Sequence, residues 1–351
     1  MLKTLDTVLN KIICDNSLEI LQTLPPESVD LIITSPPYFH QREYSLNGND
    51  IGHEKSVDEY IQKLGKIFEE CIRVTKNTGS IIFNLGDKYE DNSLLLVPYQ
   101  FAYEMTKNSK IKLINNITWV KPNPEPRQFK RRLVSSTEPF FHFVKTNDYK
   151  YFPDEFMAEK RKPVKKNEFS KIGQSYVKSV KESNLTDTQK RMALKELDTV
   201  ISEVKEGKLF SFRMKIKGIH SAAYGGYEGG RKKHLETKGF TIIRMSGNAI
   251  KKDVIECPIL SLKYMEHPAI YPEYLIQELI NLTTNVGDVV LDPFVGSGTT
   301  SLVSARMQRN YIGIDINKKY CSTSKKRIQE MKKQIPNKEQ KPSISTKKRS
   351  L

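Results

Sequence analysis

Two short apolar runs, each followed at once by rigid or very small residues, constrain the fold of this chain more than any other feature. One run covers residues 29–33 and leads into 34–38 (TSPPY). The other is the apolar part of 286–294 (VGDVVLDPF), and it is followed by 292–300 (DPFVGSGTT), which shares the residues DPF with it. Runs of this length are typical of buried strands, and proline or glycine after them predicts a loop at each strand end.

Strands and helices alternate through most of the chain. Residues 57–76 carry apolar side chains at helical spacing, and Asn77-Thr78-Gly79 should end that helix before a strand that begins at Ser80. Further strands are predicted at 10–14, 112–122, 138–146 and 310–317. This alternation predicts an α/β protein with a parallel, doubly wound sheet.

The stretch from about 150 to 240 breaks the alternation. It is polar, rich in lysine and weakly periodic, with one predicted helix near 186–206 and a predicted Gly/Tyr loop over 222–234. The α/β pattern resumes near 254, so this stretch reads as a separate region inserted into the α/β part.

The charge of the chain indicates a polyanionic partner. The formal net charge is +16 for 351 residues, and the basic tail 331–351 holds seven Lys or Arg and one Glu, which leaves +10 on the rest. An excess of this size points first to nucleic acid. Four scattered cysteines without CxxC spacing argue against a disulfide framework or a zinc site and fit the cytoplasm, and no apolar run reaches the ~18 residues of a membrane span.

The glycine loop after the second apolar run suits a bound nucleoside. Gly296 and Gly298 allow a tight turn and a close approach of a ligand to the backbone. Asp315 ends the next predicted strand, 19 residues after Gly296, where a carboxylate can accept hydrogen bonds from ribose hydroxyls. Ser301 stands where a third glycine would complete the dinucleotide pattern, so a structural turn remains an alternative for the loop alone.

Together, TSPPY and DPFVGSGTT resemble the paired motifs of amino-group DNA methyltransferases that use S-adenosylmethionine. Their order, with TSPPY first, resembles the β group of these enzymes. Residues 79–89 (GSIIFNLGDKY), 119–145 and 266–280 match later blocks, and the resemblance covers roughly 10–146 and 245–330.

The resemblance implies a Rossmann-like methyltransferase fold with permuted motif order and an inserted target recognition region. The implied parts are a catalytic part at 1–149, the target recognition region at 150–245, a cofactor-binding part at 246–330 and a flexible basic tail at 331–351.

The resemblance also gives the TSPPY segment a catalytic role. The exocyclic amine of a base is a poor nucleophile because its lone pair is delocalised into the ring. Ser35 Oγ and the Pro36 carbonyl could accept hydrogen bonds from its two N–H groups, while Pro36 and Pro37 fix the backbone. Tyr38 offers a face for stacking on an extruded base. In isolation the same four residues could form only a rigid turn.

The remaining candidate residues come from the same resemblance and from charge. The expected cofactor contacts are Asp15, His267, Asp292, Pro293, Phe294, Gly296, Ser297, Gly298, Thr299 and Asp315. The expected DNA contacts are Arg127, Lys130, Arg131, Arg132, Arg231 and Lys232. Each basic cluster could also be an ordinary solvated loop.

Ser35 favours cytosine N4 as the acceptor, with adenine N6 as the alternative, since serine opens this motif more often in cytosine enzymes of the family. Methylation at cytosine C5 would need a thiolate, usually in a Pro-Cys pair, and no cysteine here follows a proline.

Other classes explain less of the sequence. A non-catalytic DNA-binding subunit, a methyltransferase for RNA or protein glutamine, and an NAD-dependent oxidoreductase each leave one of the two motifs, or their order, unexplained. The expected partners are double-stranded DNA and a cognate restriction endonuclease encoded alongside, and the chain is expected to work as a monomer or a dimer without a membrane.

Overall fold

The computed structural model describes residues 4–41, 51–124, 131–157, 172–220, 230–245, 251–259 and 272–334, without the side chains of Asn108 and of 230–233. Within these ranges, no helix combines the length and the apolar character needed to cross a bilayer.

Eight strands form one central sheet, in the order β1-β12-β11-β2-β3-β7-β6-β10. The strands are β1 Lys11–Cys14, β2 Val29–Thr34, β3 Thr75–Asn84, β6 Lys112–Val120, β7 Thr137–Val144, β10 Val254–Glu256, β11 Val289–Asp292 and β12 Asn310–Asp315. Two small hairpins lie outside this sheet, β4 Tyr89–Glu90 with β5 Ser93–Leu94, and β8 Ser211–Ile216 with β9 Phe240–Met245. The central position of β2 explains why it is apolar apart from Asp30 and Thr34, since all six of its residues are buried.

The prediction of an all-parallel sheet is wrong for one strand. Strand β7 runs antiparallel to both of its neighbours, β3 and β6, while the other neighbouring pairs are parallel. A parallel neighbour requires a crossover connection, usually a helix, and the described part of the connection between β6 and β7 contains none. The apolar pattern of a strand does not encode its direction, so the sequence could not reveal this reversal.

Nine α-helices and a short 3-10 helix are found in the described ranges. They are the 3-10 helix Leu5–Thr7 and α1 Ser17–Thr23, α2 Val57–Val74, α3 Val97–Asn108, α4 Gln174–Glu182, α5 Asp187–Lys205, α6 Gly230–Lys238, α7 Glu273–Thr283, α8 Thr299–Arg306 and α9 Lys318–Gln334. Helix α2 shows why the periodic helices were predictable: its buried residues, among them Tyr60, Leu64 and Phe68, repeat every three or four positions.

The boundary between α2 and β3 differs from the predicted one. Strand β3 already begins at Thr75, and Asn77-Thr78-Gly79 belong to it. The pairing register with β2 shifts between Val29 and Leu31, which accommodates the extra residues. A Cβ at Gly79 would lie 2.7 Å from the Asp30 carbonyl oxygen. Glycine therefore permits a close strand approach here instead of ending a helix.

The chain divides into two compact units, residues 1–156 with 252–351, and residues 157–251. The second unit has more regular structure than its sequence predicted. Besides the predicted helix, it contains α4, the β8–β9 hairpin and α6, and α6 lies where a loop was expected from 230 to 234. Its core is small, built from residues such as Val180, Leu197 and Phe240.

Candidate functional site

One edge of the central sheet gathers the described catalytic and cofactor-loop candidates. Strands β1, β12, β11, β2 and β3 are mutually parallel, so their carboxyl ends lie together. Asp15, Asp315, Asp292 and Ser35 end or directly follow four of these strands. Polar loops at the carboxyl ends of parallel strands are where α/β folds bind ligands.

A buried hydrogen bond joins the two sequence motifs. Thr34 Oγ1 at the end of β2 donates to Asp292 Oδ1 at the end of β11, at 2.6 Å, and the Phe294 N–H donates to the same oxygen at 3.0 Å. Burial raises the pKa of the Asp292 carboxyl to about 6, although both hydrogen bonds favour the charged form. Asp292 therefore anchors the beginning of one motif to the beginning of the other.

The glycine loop has the backbone shape that its sequence predicts. Gly296 and Gly298 have φ values of +50° and +86°, in the left-handed region. The Gly296 N–H donates to Asp315 Oδ2 at 2.9 Å, and the Asn317 N–H donates to Oδ1 at 2.8 Å. Asp315 therefore braces the glycine loop and the residues after β12 through both of its carboxylate oxygens.

Asp15 lies beside Asp315. Its backbone N–H donates to the Asp315 carbonyl oxygen at 3.1 Å, and its own carboxylate accepts from the Asn16 N–H at 2.8 Å. Asp15 and Asp315 thus lie on neighbouring strand ends, and the Asp315 carboxylate contacts the glycine loop.

Ser297 and Thr299 contact a residue that the sequence did not single out. Both are buried, and the Arg327 guanidinium donates to the Ser297 carbonyl at 2.8 Å, to Ser297 Oγ at 3.3 Å and to Thr299 Oγ1 at 3.1 Å. These two hydroxyl groups already bind protein. If they contact the cofactor as predicted, they must do so through the hydroxyl hydrogen, a second lone pair or the backbone.

Helix α1 and the hydrophobic core hold the segment Asp292-Pro293-Phe294 in place. Ser17 Oγ donates to the Pro293 carbonyl at 2.5 Å, and the partly buried Phe294 ring packs against the main hydrophobic core.

The TSPPY segment is fixed at both ends. Ser35 is partly exposed, whereas Pro36 is buried. Tyr60 Oη of helix α2 donates to the Pro37 carbonyl at 2.9 Å. The Pro37 carbonyl is therefore occupied by Tyr60. The acceptors predicted for the amine, Ser35 Oγ and the Pro36 carbonyl, are other atoms of the segment.

The Tyr38 hydroxyl lies in a polar cluster formed by three further strands or strand ends. It lies 2.5 Å from Asn84 Oδ1 at the end of β3 and 3.2 Å from Glu138 Oε2 in β7. Glu138 also forms an ion pair with Lys121, which follows β6. With one proton, the hydroxyl can donate to one acceptor at a time.

The Tyr38 ring packs closely against the backbone at Gly86. A Cβ at this position would lie 2.5 Å from two ring carbons of Tyr38. Sequence reasoning missed Gly86, Asn84, Glu138 and Arg327. The pattern NLGD, in a block that resembles the family, was a signal for the first two, and no signal marked Arg327.

The predicted DNA contacts are only partly described. The Arg132 guanidinium carbon lies 3.7 Å from the centre of the Tyr89 ring, and Arg131 is exposed. Arg231 and Lys232 lie in α6, where the structure describes their backbone but not their side chains. Arg127, Lys130 and His267 lie outside the described residues.

Comparison with known proteins decides the family. A family model described as DNA methylase, of the N6/N4 type, matches residues 29–326, most of the chain. The chain belongs to this DNA methylase family. It is 25% identical over 374 residues to the type II methyltransferase M.SfiI of Streptomyces fimbriatus, covering 88% of both chains. It is 33% identical over 198 residues to M.MwoI of Methanothermobacter wolfeii, covering 55% of this chain and 28% of that relative.

Solved structures show the same fold. PvuII DNA methyltransferase (cytosine-N4-specific) matches with a TM-score of 0.56 at 16% identity, covering 92% of this chain and 89% of the other. TTHA0409 of Thermus thermophilus, solved with S-adenosyl-L-methionine, matches with a TM-score of 0.50 at 18% identity, covering 92% and 95%. The predicted Rossmann-like methyltransferase fold is thus confirmed.

S-adenosyl-L-methionine is the cofactor of this DNA methylase, as predicted, and DNA is its substrate. The sheet edge suits a nucleoside cofactor, since the positive φ angles of Gly296 and Gly298 let a ligand approach the backbone. The contact of Asp315 with ribose hydroxyls stays a prediction.

Proposed function

We propose that this chain is a site-specific DNA methyltransferase that methylates the N4 amine of cytosine in double-stranded DNA after extruding the base. The observation that carries the proposal is the Thr34–Asp292 hydrogen bond. It joins the ends of the neighbouring strands β2 and β11, from which the TSPPY segment and the glycine loop begin. A base held at the first motif would therefore lie beside a cofactor held at the second.

The reaction needs orientation more than it needs a strong acid or base. When bound, the cofactor supplies an electrophilic methyl group on its sulfonium. Ser35 Oγ and the Pro36 carbonyl accept hydrogen bonds from the two amine N–H groups, which directs the nitrogen lone pair at that methyl group. Transfer would break the S–C bond as the N–C bond forms, and one amine proton would be released to solvent. Tyr38 stacks on the extruded ring, and its hydroxyl is restrained by Asn84 and Glu138.

The choice of base rests on Ser35. A serine at the first position of this motif is more frequent in cytosine-N4 enzymes of the family, and adenine N6 is the second candidate.

The 157–251 unit is proposed to carry target recognition, as the sequence suggested for 150–245. It holds 22 Lys or Arg and 10 Asp or Glu, a net charge of +12. The other unit, 1–156 with 252–330, carries catalysis and cofactor binding in this proposal, close to the 1–149 and 246–330 that the sequence suggested. The similarity to type II methyltransferases supports a restriction endonuclease as a functional partner.

Nucleoside mass spectrometry tests the proposal. Purified protein is incubated with S-adenosyl-L-methionine and unmethylated genomic DNA, and the digest is expected to contain N4-methylcytosine. Ser35→Ala and Tyr38→Ala should each lower the product about a hundredfold or more, by loss of orientation. Tyr103→Ala, at an exposed tyrosine of α3, is the matched control and should keep the activity.

The outcomes separate the parts of the proposal. N6-methyladenine as the product would contradict the role of Ser35 in base choice. Full activity in Ser35→Ala and Tyr38→Ala would contradict the catalytic assignment.

A further inference from the structure

We propose that Arg327 is a positioning residue for the cofactor, which holds the glycine loop in its binding shape from the far side. This inference rests on the proposed assignment of the loop at 296–299 to cofactor binding. Arg327 lies in α9, 28 residues beyond the end of that loop, and no sequence motif includes it.

The contacts of Arg327 converge on the loop. One terminal nitrogen donates to the Ser297 carbonyl at 2.8 Å and lies 3.1 Å from Thr299 Oγ1 and 3.3 Å from Ser297 Oγ. The side chain is only 15% exposed, so water competes weakly for these bonds.

The other terminal nitrogen of Arg327 is held by a carboxylate. It donates to Glu273 Oε1 at 3.3 Å, while Glu273 Oε2 accepts from Arg306 at 2.6 Å. Glu273 belongs to the first turn of α7. The guanidinium is thus fixed between Glu273 of α7 and the glycine loop before any ligand binds.

The loop needs such support because its two glycines have wide conformational freedom. Asp315 fixes the near end through the Gly296 N–H, and Arg327 fixes Ser297 and Thr299 at the far end. Without Arg327, binding would have to order the loop at the expense of affinity. A planar guanidinium can span these acceptors, whereas a lysine ammonium is a point charge.

Arg327→Met and Arg306→Met form a matched pair of variants. Both remove a cation from Glu273, but only Arg327 contacts the loop. Calorimetric titration with S-adenosyl-L-methionine should give a Kd about tenfold or more above wild type for Arg327→Met, as expected for lost charged hydrogen bonds. Arg306→Met should keep its Kd within about twofold of wild type.

Steady-state kinetics supply the second readout. The fall in kcat/KM of Arg327→Met should come chiefly from KM for S-adenosyl-L-methionine, and Arg327→Lys should restore part of the affinity. Equal Kd values for the two methionine variants, with only the Tm of Arg327→Met lowered, would overturn the proposal. If Arg327→Met does not fold, an unchanged Kd for Arg327→Lys overturns it equally. Failure of the wild-type protein to bind the cofactor would instead contradict the assignment of the loop.

Discussion

At the scale of single residues, the candidate site depends on positions where a small side chain is required. Gly86 is such a position because its backbone contacts the Tyr38 ring directly. The Tyr38 ring can occupy its place, with its hydroxyl near Asn84 and Glu138, only if residue 86 has no Cβ.

Gly86→Ala should therefore impair methyl transfer without impairing cofactor binding. The new Cβ would lie 2.5 Å from Tyr38 Cδ2 and Cε2, so the ring must shift, and its hydroxyl would shift with it relative to Asn84. We expect the rate constant of methyl transfer, measured by single-turnover methylation, to fall about tenfold to a hundredfold, as for other small misplacements of catalytic groups.

The control is Gly65→Ala in helix α2, where the added Cβ would meet only the flexible end of Met105 at 3.1 Å. An unchanged rate in Gly86→Ala would show that the position of the Tyr38 ring does not limit the reaction.

At the scale of elements, a charged network joins strands β2 and β11 at the edge opposite the candidate site. Asp30 is 1% exposed and binds Lys76, Lys150 and the Val289 N–H, and Lys150 also binds Asp288. Burial alone would raise the pKa of the Asp30 carboxyl, but the bonds from Lys76, Val289 and Lys150 outweigh it and lower the pKa below the usual range. The network thus fixes the pairing of these strands near their starts, as Thr34 and Asp292 do at their ends.

Asp30→Asn should lower the free energy of unfolding by about 2–4 kcal/mol at pH 7, because two lysines lose a buried partner. The folded-state pKa lies below the unfolded value of about 3.8, so this contribution is complete above that pH and is lost as the pH falls through the folded-state pKa. Urea unfolding of both proteins from pH 7 to pH 3 should show the difference shrinking toward the acid end. A constant difference would mean that the network does not depend on the charge of Asp30.

The sequence predicted those elements whose pattern is local. Strand β2 and helix α2 follow from an apolar run and helical spacing, and the loops with Ser35 and Gly296 follow from residues that only loops tolerate. The direction of β7 and the helix α6 did not, because strand direction depends on the connections and α6 has few apolar residues among its charges. Arg327 and Glu138 were missed because their roles arise from neighbours 28 and 100 residues away.

At the scale of the whole molecule, the positive charge is unevenly distributed. Residues 157–251 carry a net +12 and residues 331–351 a net +6, so the remaining 28 Lys or Arg and 30 Asp or Glu leave −2 for the part that holds the candidate catalytic and cofactor residues. We therefore expect attraction to DNA phosphates to come mainly from the second unit and the tail.

Replacing Arg213 and Lys217 with glutamine should weaken DNA binding by a similar factor for all sequences. Both residues are exposed in the second unit. We expect the slope of log K against log salt to become shallower by about 1 to 2, measured by fluorescence anisotropy. Lys66→Gln with Lys110→Gln, two exposed lysines of the other unit, is the control. An equal loss in the control pair would contradict the assignment of DNA affinity to residues 157–251.

The hydrogen bond between Thr34 and Asp292 spans 258 positions of the chain, and β1 finds its partner β12 at a similar separation. During synthesis, β2 therefore leaves the ribosome long before β11 exists, and its hydrogen-bonding groups on that side stay unmatched for most of translation. Such long-range pairing makes folding slow, and the nascent protein spends that time exposed to aggregation. Completion of the sheet and assembly of the two motifs are then a single late event, so a chain interrupted before residue 292 has neither.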